Sequence, residues 1–311
     1  MIRVDNSRLK SVATCDTQAV IEFVLGYQGK EEPAARKCGK DLHSALAHFF
    51  RGGTVEESVG VFRDAYYQFA KDNVPENDKH SFANVYDILD EYLCQHPFDK
   101  FPFTPIPESV ETPVTAKLAD DIELWGLLDL QGVGKEVPGL YVIDHKSTGQ
   151  NVSGGWWPRT FRLGSQMSAY IWLLQQIHPN EVVAGAYINA IQINKLPDVR
   201  FKNDGGEYKC KTHKTVISEC RRQHAIFALY ITMRSPELLQ EWHRDQIALA
   251  RRFGALQRTF NDIELIQYAP AQGRNNDACK FCQFRDFCAA GRRPELVESM
   301  LVHQPWEPWE K

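Results

Sequence analysis

The chain is expected to fold as an α/β protein whose N-terminal third supplies a helical layer. Three observations point there. Apolar residues recur at helical spacing through most of the first hundred positions. Short β-rich runs separated by turn residues fill 109–147, and an apolar run from Val182 to Ile193 follows an intervening helical pattern. Strands, a helix and a returning strand make an α/β core.

The elements follow in order. Leu42, Ala45, Leu46 and Phe49 form one apolar stripe, in a segment that Gly39 opens. Val55, Val59, Phe62, Tyr66 and Phe69 repeat it across 54–70, and Phe82, Val85, Leu89 and Tyr92 do so after a polar break at Pro75. Pro97, Pro102, Pro105, Pro107 and Pro113 exclude a helix, so this stretch reads as a linker or surface wrap. Val110 to Leu118, Ile122 to Gly132 and Gly139 to Ser147 read as strands, with Gly132, Gly134, Pro138 and Gly139 suiting a hairpin connection. A helix is expected from Thr160 to Ile177, a strand from Val182 to Ile193 and a helix from Pro236 to Phe260. The resulting division is a helical region (1–107), a core (108–235) and a C-terminal helix with a cysteine cluster packed on that core (236–311).

Composition narrows the function classes. The 311 residues are 43% hydrophobic and 24% charged, which excludes low-complexity disorder. A net charge of −4 makes the chain no polycation, so any nucleic-acid contact must come from a local patch. No apolar run approaches the ~18 residues of a membrane span. The opening MIRVDNSRLKS lacks a signal-peptide core, and a cytoplasmic location is expected. Eight cysteines are too sparse for a disulfide scaffold at this length; clustered in a reducing compartment, they indicate metal or redox chemistry.

The chemistry concentrates in two places. In Leu140-Tyr141-Val142-Ile143-Asp144-His145-Lys146, both faces are apolar until Asp144, as in a central strand buried on both sides. The strand end then delivers a carboxylate and an ammonium side by side. Asp129 lies near the end of the preceding strand and approaches Asp144 if the two pair as a hairpin. Two such carboxylates repel unless a cation lies between them, and Mg²⁺ or Mn²⁺ prefers such oxygens while keeping waters. Lys146 would orient a water and stabilise charge on a phosphate; a solvated Asp144–Lys146 salt bridge is the plain alternative. Gln166 and Tyr170, four apart, share one helix face and can contact a nucleic-acid backbone or orient Lys146.

The second place is Cys279-Lys280-Phe281-Cys282 with Cys288, spaced C-x₂-C-x₅-C. Three thiolates need a fourth ligand for a tetrahedral zinc or a [4Fe–4S] cluster, and spacing alone does not decide between them. Cys94, Cys210 and Cys220 read as core or incidental thiols.

Gly39-Lys40-Asp41-Leu42-His43, Gly126-Leu127-Leu128-Asp129, Asp144-His145-Lys146 and Gln166-x-x-x-Tyr170 stand in the order of the RecB-like branch of PD-(D/E)XK nucleases, which the chain resembles from about Cys15 to Cys288. The resemblance implies a restriction-endonuclease-like core, a mixed central sheet flanked by helices. It implies His43, Asp129 and Asp144 as metal ligands, joined by the backbone carbonyl of His145. It makes Lys146 the catalytic base or orienter, and Gln166 and Tyr170 the helix motif. Many relatives have Glu where Asp144 stands. In iron–sulfur nucleases resembling AddB and the CRISPR-associated protein-four exonucleases, one cysteine precedes the helical histidine and three follow the core. That arrangement nominates Cys15, Cys279, Cys282 and Cys288 for a [4Fe–4S] cluster that staples the chain's two ends, with Cys38 the competitor for the first position.

The implied activity is a Mg²⁺- or Mn²⁺-dependent deoxyribonuclease, an exonuclease acting on single-stranded DNA or DNA ends. The competing reading is a catalytically idle DNA-end-binding scaffold; a third is an iron–sulfur redox protein. Residues 195–222 hold eight Lys/Arg against four acids, with Gly205 and Gly206 between, and are the best local candidate for phosphate contact. Trp156 and Trp157 are placed to stack on unpaired bases or to join the core. No G-x-x-x-x-G-K-[ST] occurs, so any unwinding needs a partner: a helicase, or a recombination or CRISPR adaptation protein, in a bacterial, archaeal or phage setting.

Overall fold

The computed structural model describes residues 1–194, 199–202, 208–211 and 213–306. The chain opens with β1 (Ile2–Asp5) and α1 (Asn6–Thr14), capped where the Asp5 carboxylate accepts from the Arg8 N–H. Short α2 (Asp16–Ala19) and β2 (Tyr27–Gly29) follow. Three amphipathic helices come next: α3 (Ala34–Phe50), α4 (Val55–Asn73) and α5 (Phe82–Gln95). Thr54 and Glu57 close a reciprocal capping box at the start of α4.

The strands then begin: β3 (Phe103–Ile106), β4 (Thr112–Ala119), β5 (Ile122–Leu128), β6 (Leu130–Gly134) and β7 (Leu140–Thr148). After them come α6 (Ser165–Ile177), β8 (Val183–Gln192), β9 (Val199–Lys202), β10 (Tyr208–Cys210), α7 (Ile217–Gln223) and β11 (Ile226–Thr232). The chain finishes with α8 (Pro236–Thr259), α9 (Arg285–Ala289), α10 (Val297–Met300) and β12 (Leu301–His303). Ser235 caps α8, and Pro236 takes its first turn, where a missing N–H costs nothing. No helix among the described residues is long and apolar enough to cross a membrane.

Four local expectations change. Gly39 lies inside α3, which starts at Ala34. The proline-rich stretch contains β3, tolerated because β3 is the edge strand of its sheet, where Pro105 removes no inner ladder bond. The run from Ile122 to Gly132 is two strands broken at Asp129, with β5 in one sheet and β6 in another. The helix expected from Thr160 starts at Ser165, after a 3₁₀ turn over Pro158–Phe161.

Two compact units emerge, and they interleave in sequence: Met1–Glu32 with Pro113–Gly126 and Arg234–Lys311, and Pro33–Thr112 with Leu127–Met233. The N-terminal helical region contributes to both. The larger unit holds a five-stranded sheet in the order β11-β8-β7-β6-β3. β7 is central, parallel to β8 and antiparallel to β6, so the sheet is mixed. Tyr141 and Ile143 on β7 join Leu42, Phe50, Phe62, Tyr66, Leu89 and Tyr92 of α3, α4 and α5 in one buried cluster. Each such side chain contributes roughly 1.5–3 kcal/mol on burial. Gly132 permits the tight β3–β6–β7 packing: a Cβ there would meet Phe103 Cδ2 and Thr104 O at 3.0 Å. The smaller unit holds the sheet β1-β5-β4, with α1 and α8 packed together, and the antiparallel pair β12-β2.

Candidate active site and cysteine centre

β7 is buried from Leu140 through His145 and opens only at Lys146. Alternation then sets the chemistry. His145 points with Tyr141 and Ile143 into the helical side, where its ring stacks on Phe50 at 5.1 Å between centroids. Asn189 Nδ2 donates to His145 Nδ1 at 2.8 Å and to Tyr92 Oη at 2.6 Å. Burial pushes the His145 ring down to about 3, so it is neutral with its proton on Nε2. Its side chain is therefore a buried support, and only its backbone is open to a ligand role.

Asp144 and Lys146 occupy the other face. The antiparallel register of β6 and β7 pairs Leu130 with Ile143, which sets Asp129 beside the Asp144–His145 step. The His145 N–H donates to Asp129 Oδ2 at 2.9 Å, and the Glu111 N–H holds the Asp129 carbonyl at 2.9 Å. His43 Nδ1 lies 3.4 Å from the same Oδ2. It gets there because α3 passes close over β7: a Cβ at Gly39, one turn before His43, would lie 3.2 Å from Ser147 Oγ. Lys146 Nζ donates to Asp144 Oδ1 at 2.9 Å and to Gln166 Oε1 at 3.1 Å, and Gln166 Nε2 donates to Tyr170 Oη at 3.0 Å. The six side chains thus form two linked strings, His43–Asp129 and Asp144–Lys146–Gln166–Tyr170, joined through β7.

Electrostatics separates the carboxyls. Burial opposes the charge of Asp129, but the His43 ring, with His145 and Lys146, outweighs it and holds the group well below the usual carboxylate range. Burial pushes Asp144 up; Lys146 opposes this and Asp129 adds to it. Burial would lower His43, but the Asp129 charge and hydrogen bond raise it. His43 thus faces Asp129, and Lys146 faces Asp144. Asp144 Oδ2 lies 2.7 Å from Lys146 Nζ, off hydrogen-bonding direction, and is buried with no donor aimed at it. Two carboxylates, one of them carrying that orphaned oxygen, and an imidazole make a donor set that fits a hard divalent cation. They are not drawn in to single-ion spacing; among the described residues, only Cys210, His213 and Cys220 are.

In the smaller unit, Cys15, Cys279, Cys282 and Cys288 line one cavity, together with Gly273, Arg274 and Arg285. A Cβ on Gly273 would press within 3.3 Å of the Cys15 sulfur, so glycine keeps that thiol clear. Burial pushes Cys288 up to about 11, with Cys282, Cys15 and Cys279 adding and Arg292 opposing. No three of these sulfurs lie within 4.8 Å of one another. Cys38 is elsewhere, buried in the α3–α5 cluster and hydrogen-bonded to Tyr66.

Other sequence candidates separate. Trp157 is buried against Phe161, whereas Trp156 is 57% exposed. Arg221 and Arg222 pair with Asp87 and Asp90 of α5, which removes them from the phosphate-contact set. Lys195, Gly205 and Gly206 lie outside the described residues, and Arg200 and Lys202 are described as strand backbone only. Sequence reasoning missed Asn189, although a lone amide within an apolar strand is a usable signal. It also missed His213 between Cys210 and Cys220.

A mixed sheet whose central strand ends in Asp-x-Lys, beside a second aspartate and a helical histidine, defines a strand-end carboxylate–lysine site of the kind used on phosphodiesters. The model of the PD-(D/E)XK nuclease superfamily matches residues 6–289, and the chain belongs to that superfamily. Its fold is similar to the crystal structure of a "putative exonuclease" from Eubacterium rectale, with a TM-score of 0.51 and 13% identity over 99% of this chain and 92% of that one. No curated protein matches the sequence.

Proposed function

We propose that the chain is a Mg²⁺- or Mn²⁺-dependent deoxyribonuclease, an exonuclease acting on single-stranded DNA or DNA ends. The observation that carries this reading is Lys146 bonded at once to Asp144 and Gln166, across from the His43–Asp129 pair. Asp129, Asp144 and His43, with the His145 carbonyl, would hold the cation. A bound divalent cation supplies Lewis-acid stabilisation of the phosphate and lowers the pKa of a bound water. Lys146, released from Asp144, orients the attacking water and balances charge developing on the phosphate. Gln166 fixes the ammonium, and Tyr170 fixes Gln166. The buried ring of His145, held by Asn189 and Phe50, keeps the strand end in register.

The four-cysteine cavity is read as a [4Fe–4S] centre with a structural role. What supports a cluster over a tetrahedral zinc is the order of the cysteines, one before the helical histidine and three after the core. Arg274 and Arg285 at its wall suit an anionic group. More than 260 residues separate Cys15 from Cys279, so such a centre ties distant parts of the chain and its affinity becomes folding free energy.

The test of the catalytic assignment is a separation of binding from chemistry. Asp144→Asn should lose Mn²⁺ binding and cleavage together, whereas Lys146→Ala should keep Mn²⁺ binding and lose cleavage. Equal Mn²⁺ loss in both variants, or near-full activity in either, rules the roles out.

A further inference from the structure

Two of the thiols that the sequence leaves as incidental are not isolated. Cys210 and Cys220 are both buried, and they flank one imidazole. His213 Nδ1 lies 3.5 Å from Cys210 Sγ and 3.2 Å from Cys220 Sγ, and the three donor atoms fall within 4.8 Å of one another. For a tetrahedral zinc with bonds of about 2.3 Å to sulfur and 2.0 Å to nitrogen, the sulfur–nitrogen separation is about 3.5 Å. The spacing is that of ligands to one ion.

The backbone is built to deliver them. Cys210 ends β10, and the Cys210 N–H bonds Thr215 O at 2.8 Å while the Lys214 N–H returns to Cys210 O at 2.8 Å. Lys214 takes a left-handed conformation (φ 63°), which closes the turn around His213. α7 then presents Cys220, and its cap residue His224, four positions on, lies on the same helical face. The His224 ring stacks on His213 with centroids 3.9 Å apart. The resulting spacing is C-x₂-H-x₆-C-x₃-H.

A second observation concerns packing. Among the described residues, the buried apolar cluster of this segment is Cys210, Ile217 and Cys220. One isoleucine buries too little surface to hold a strand, a turn and a helix together. Small units with so little core are held by a metal or a disulfide; here both cysteines are free thiols. The outer attachment is ionic, Arg221 and Arg222 to Asp87 and Asp90 on α5.

We propose that Cys210, His213 and Cys220 bind one zinc-class divalent ion, with His224 as the fourth ligand. Four protein ligands leave no open coordination position, so the ion is structural. It clamps β10 and α7, and with them Lys209, Lys211 and Lys214. The proposal is independent of the nuclease reading and of the iron centre, because it involves neither set of residues.

The experiment is metal analysis and cobalt substitution on the full chain. The wild type should carry about one zinc per chain, and the stripped protein should show thiolate-to-cobalt charge transfer with tetrahedral d–d bands on adding Co²⁺. Cys210→Ser should halve the charge-transfer intensity. His213→Ala, at an exposed position that leaves the small core intact, should weaken zinc binding at least tenfold with iron content unchanged. His224→Ala should reduce the tetrahedral d–d intensity as water enters; an unchanged spectrum overturns His224 as ligand. Zinc-free protein whose cobalt bands vanish only in Cys282→Ala would overturn the site, leaving a plain thiol–imidazole hydrogen-bonded group. Trypsin adds a further check: zinc should protect the segment around Lys209 to Arg222, and equal cleavage with and without zinc contradicts the clamp.

Discussion

The carboxylate–lysine site and the four-cysteine cavity are both proposed as metal sites, yet their own side chains differ in how they balance charge. The first carries its own cations. His43 faces Asp129 and Lys146 faces Asp144, so each acid has a partner before any metal arrives. Beneath them lie Phe50, Asn189 and Tyr92, part of a large hydrophobic unit. The second has four thiols around a cavity, and burial pushes Cys282 and Cys288 up. A site that neutralises itself stands ready and lets its metal come and go. One that does not depends on its metal for structure.

The largest expected effect breaks the comparison at its weakest point. Removing the cluster, by Cys282→Ala or by oxidation, should cost several kcal/mol of stability, since structural metal affinity on the order of 10 kcal/mol is folding free energy. Leaving out Mg²⁺ and Mn²⁺, with zinc kept in place, should leave the melting profile of the iron-loaded protein nearly unchanged. Equal destabilisation by both treatments, read by calorimetry, would erase the distinction.

Next in size is the support under β7. Asn189→Ala leaves His145 Nδ1 and Tyr92 Oη buried without their donor, at a cost of about 1–3 kcal/mol. Urea unfolding measures it, and a change below a few tenths would show that the pair finds water instead. Smaller still is a pH effect. The pKa of His43 is raised in the metal-free protein, so below that pKa a divalent ion must displace its proton. Mn²⁺ affinity should therefore fall by about tenfold per pH unit as pH drops below it, and level off above. A flat profile by calorimetric titration would remove His43 from the ligand set. Last, reversing Lys209, Lys211 and Lys214 to Glu should weaken DNA binding a few-fold and lower the slope of its salt dependence. An unchanged slope across a salt series would take the segment out of the DNA contact.

Much of the site was legible because strand alternation is a strict rule. An apolar run ending in Asp144-His145-Lys146 has to place Asp144 and Lys146 on one face and His145 on the other, and the structure does so. Gln166 and Tyr170 were legible from helical spacing. What could not be read was long-range: that the chain breaks at Asp129 and passes into a different sheet, that Pro105 sits on an edge strand, and that Gly39 serves a helix–strand approach rather than a helix start. Each depends on a partner far away in sequence, and local propensity holds no information about it. The Cys210–His213–Cys220 group was missed for a related reason. Its spacing matches no common short motif, and only the turn at Lys214 brings the three side chains together.

Whether these side chains cleave DNA is read out in one assay. End-labelled single-stranded DNA is incubated with the full-length protein and Mn²⁺ or Mg²⁺, beside the Lys146→Ala variant prepared identically. The wild type should release short products from one end in a metal-dependent way, with a loss of at least about 10²–10³-fold in the variant, the scale on which a single charge-stabilising donor acts. Wild-type protein that carries its metals and binds DNA but releases nothing, or a variant that cleaves as fast as the wild type, would contradict the nuclease reading.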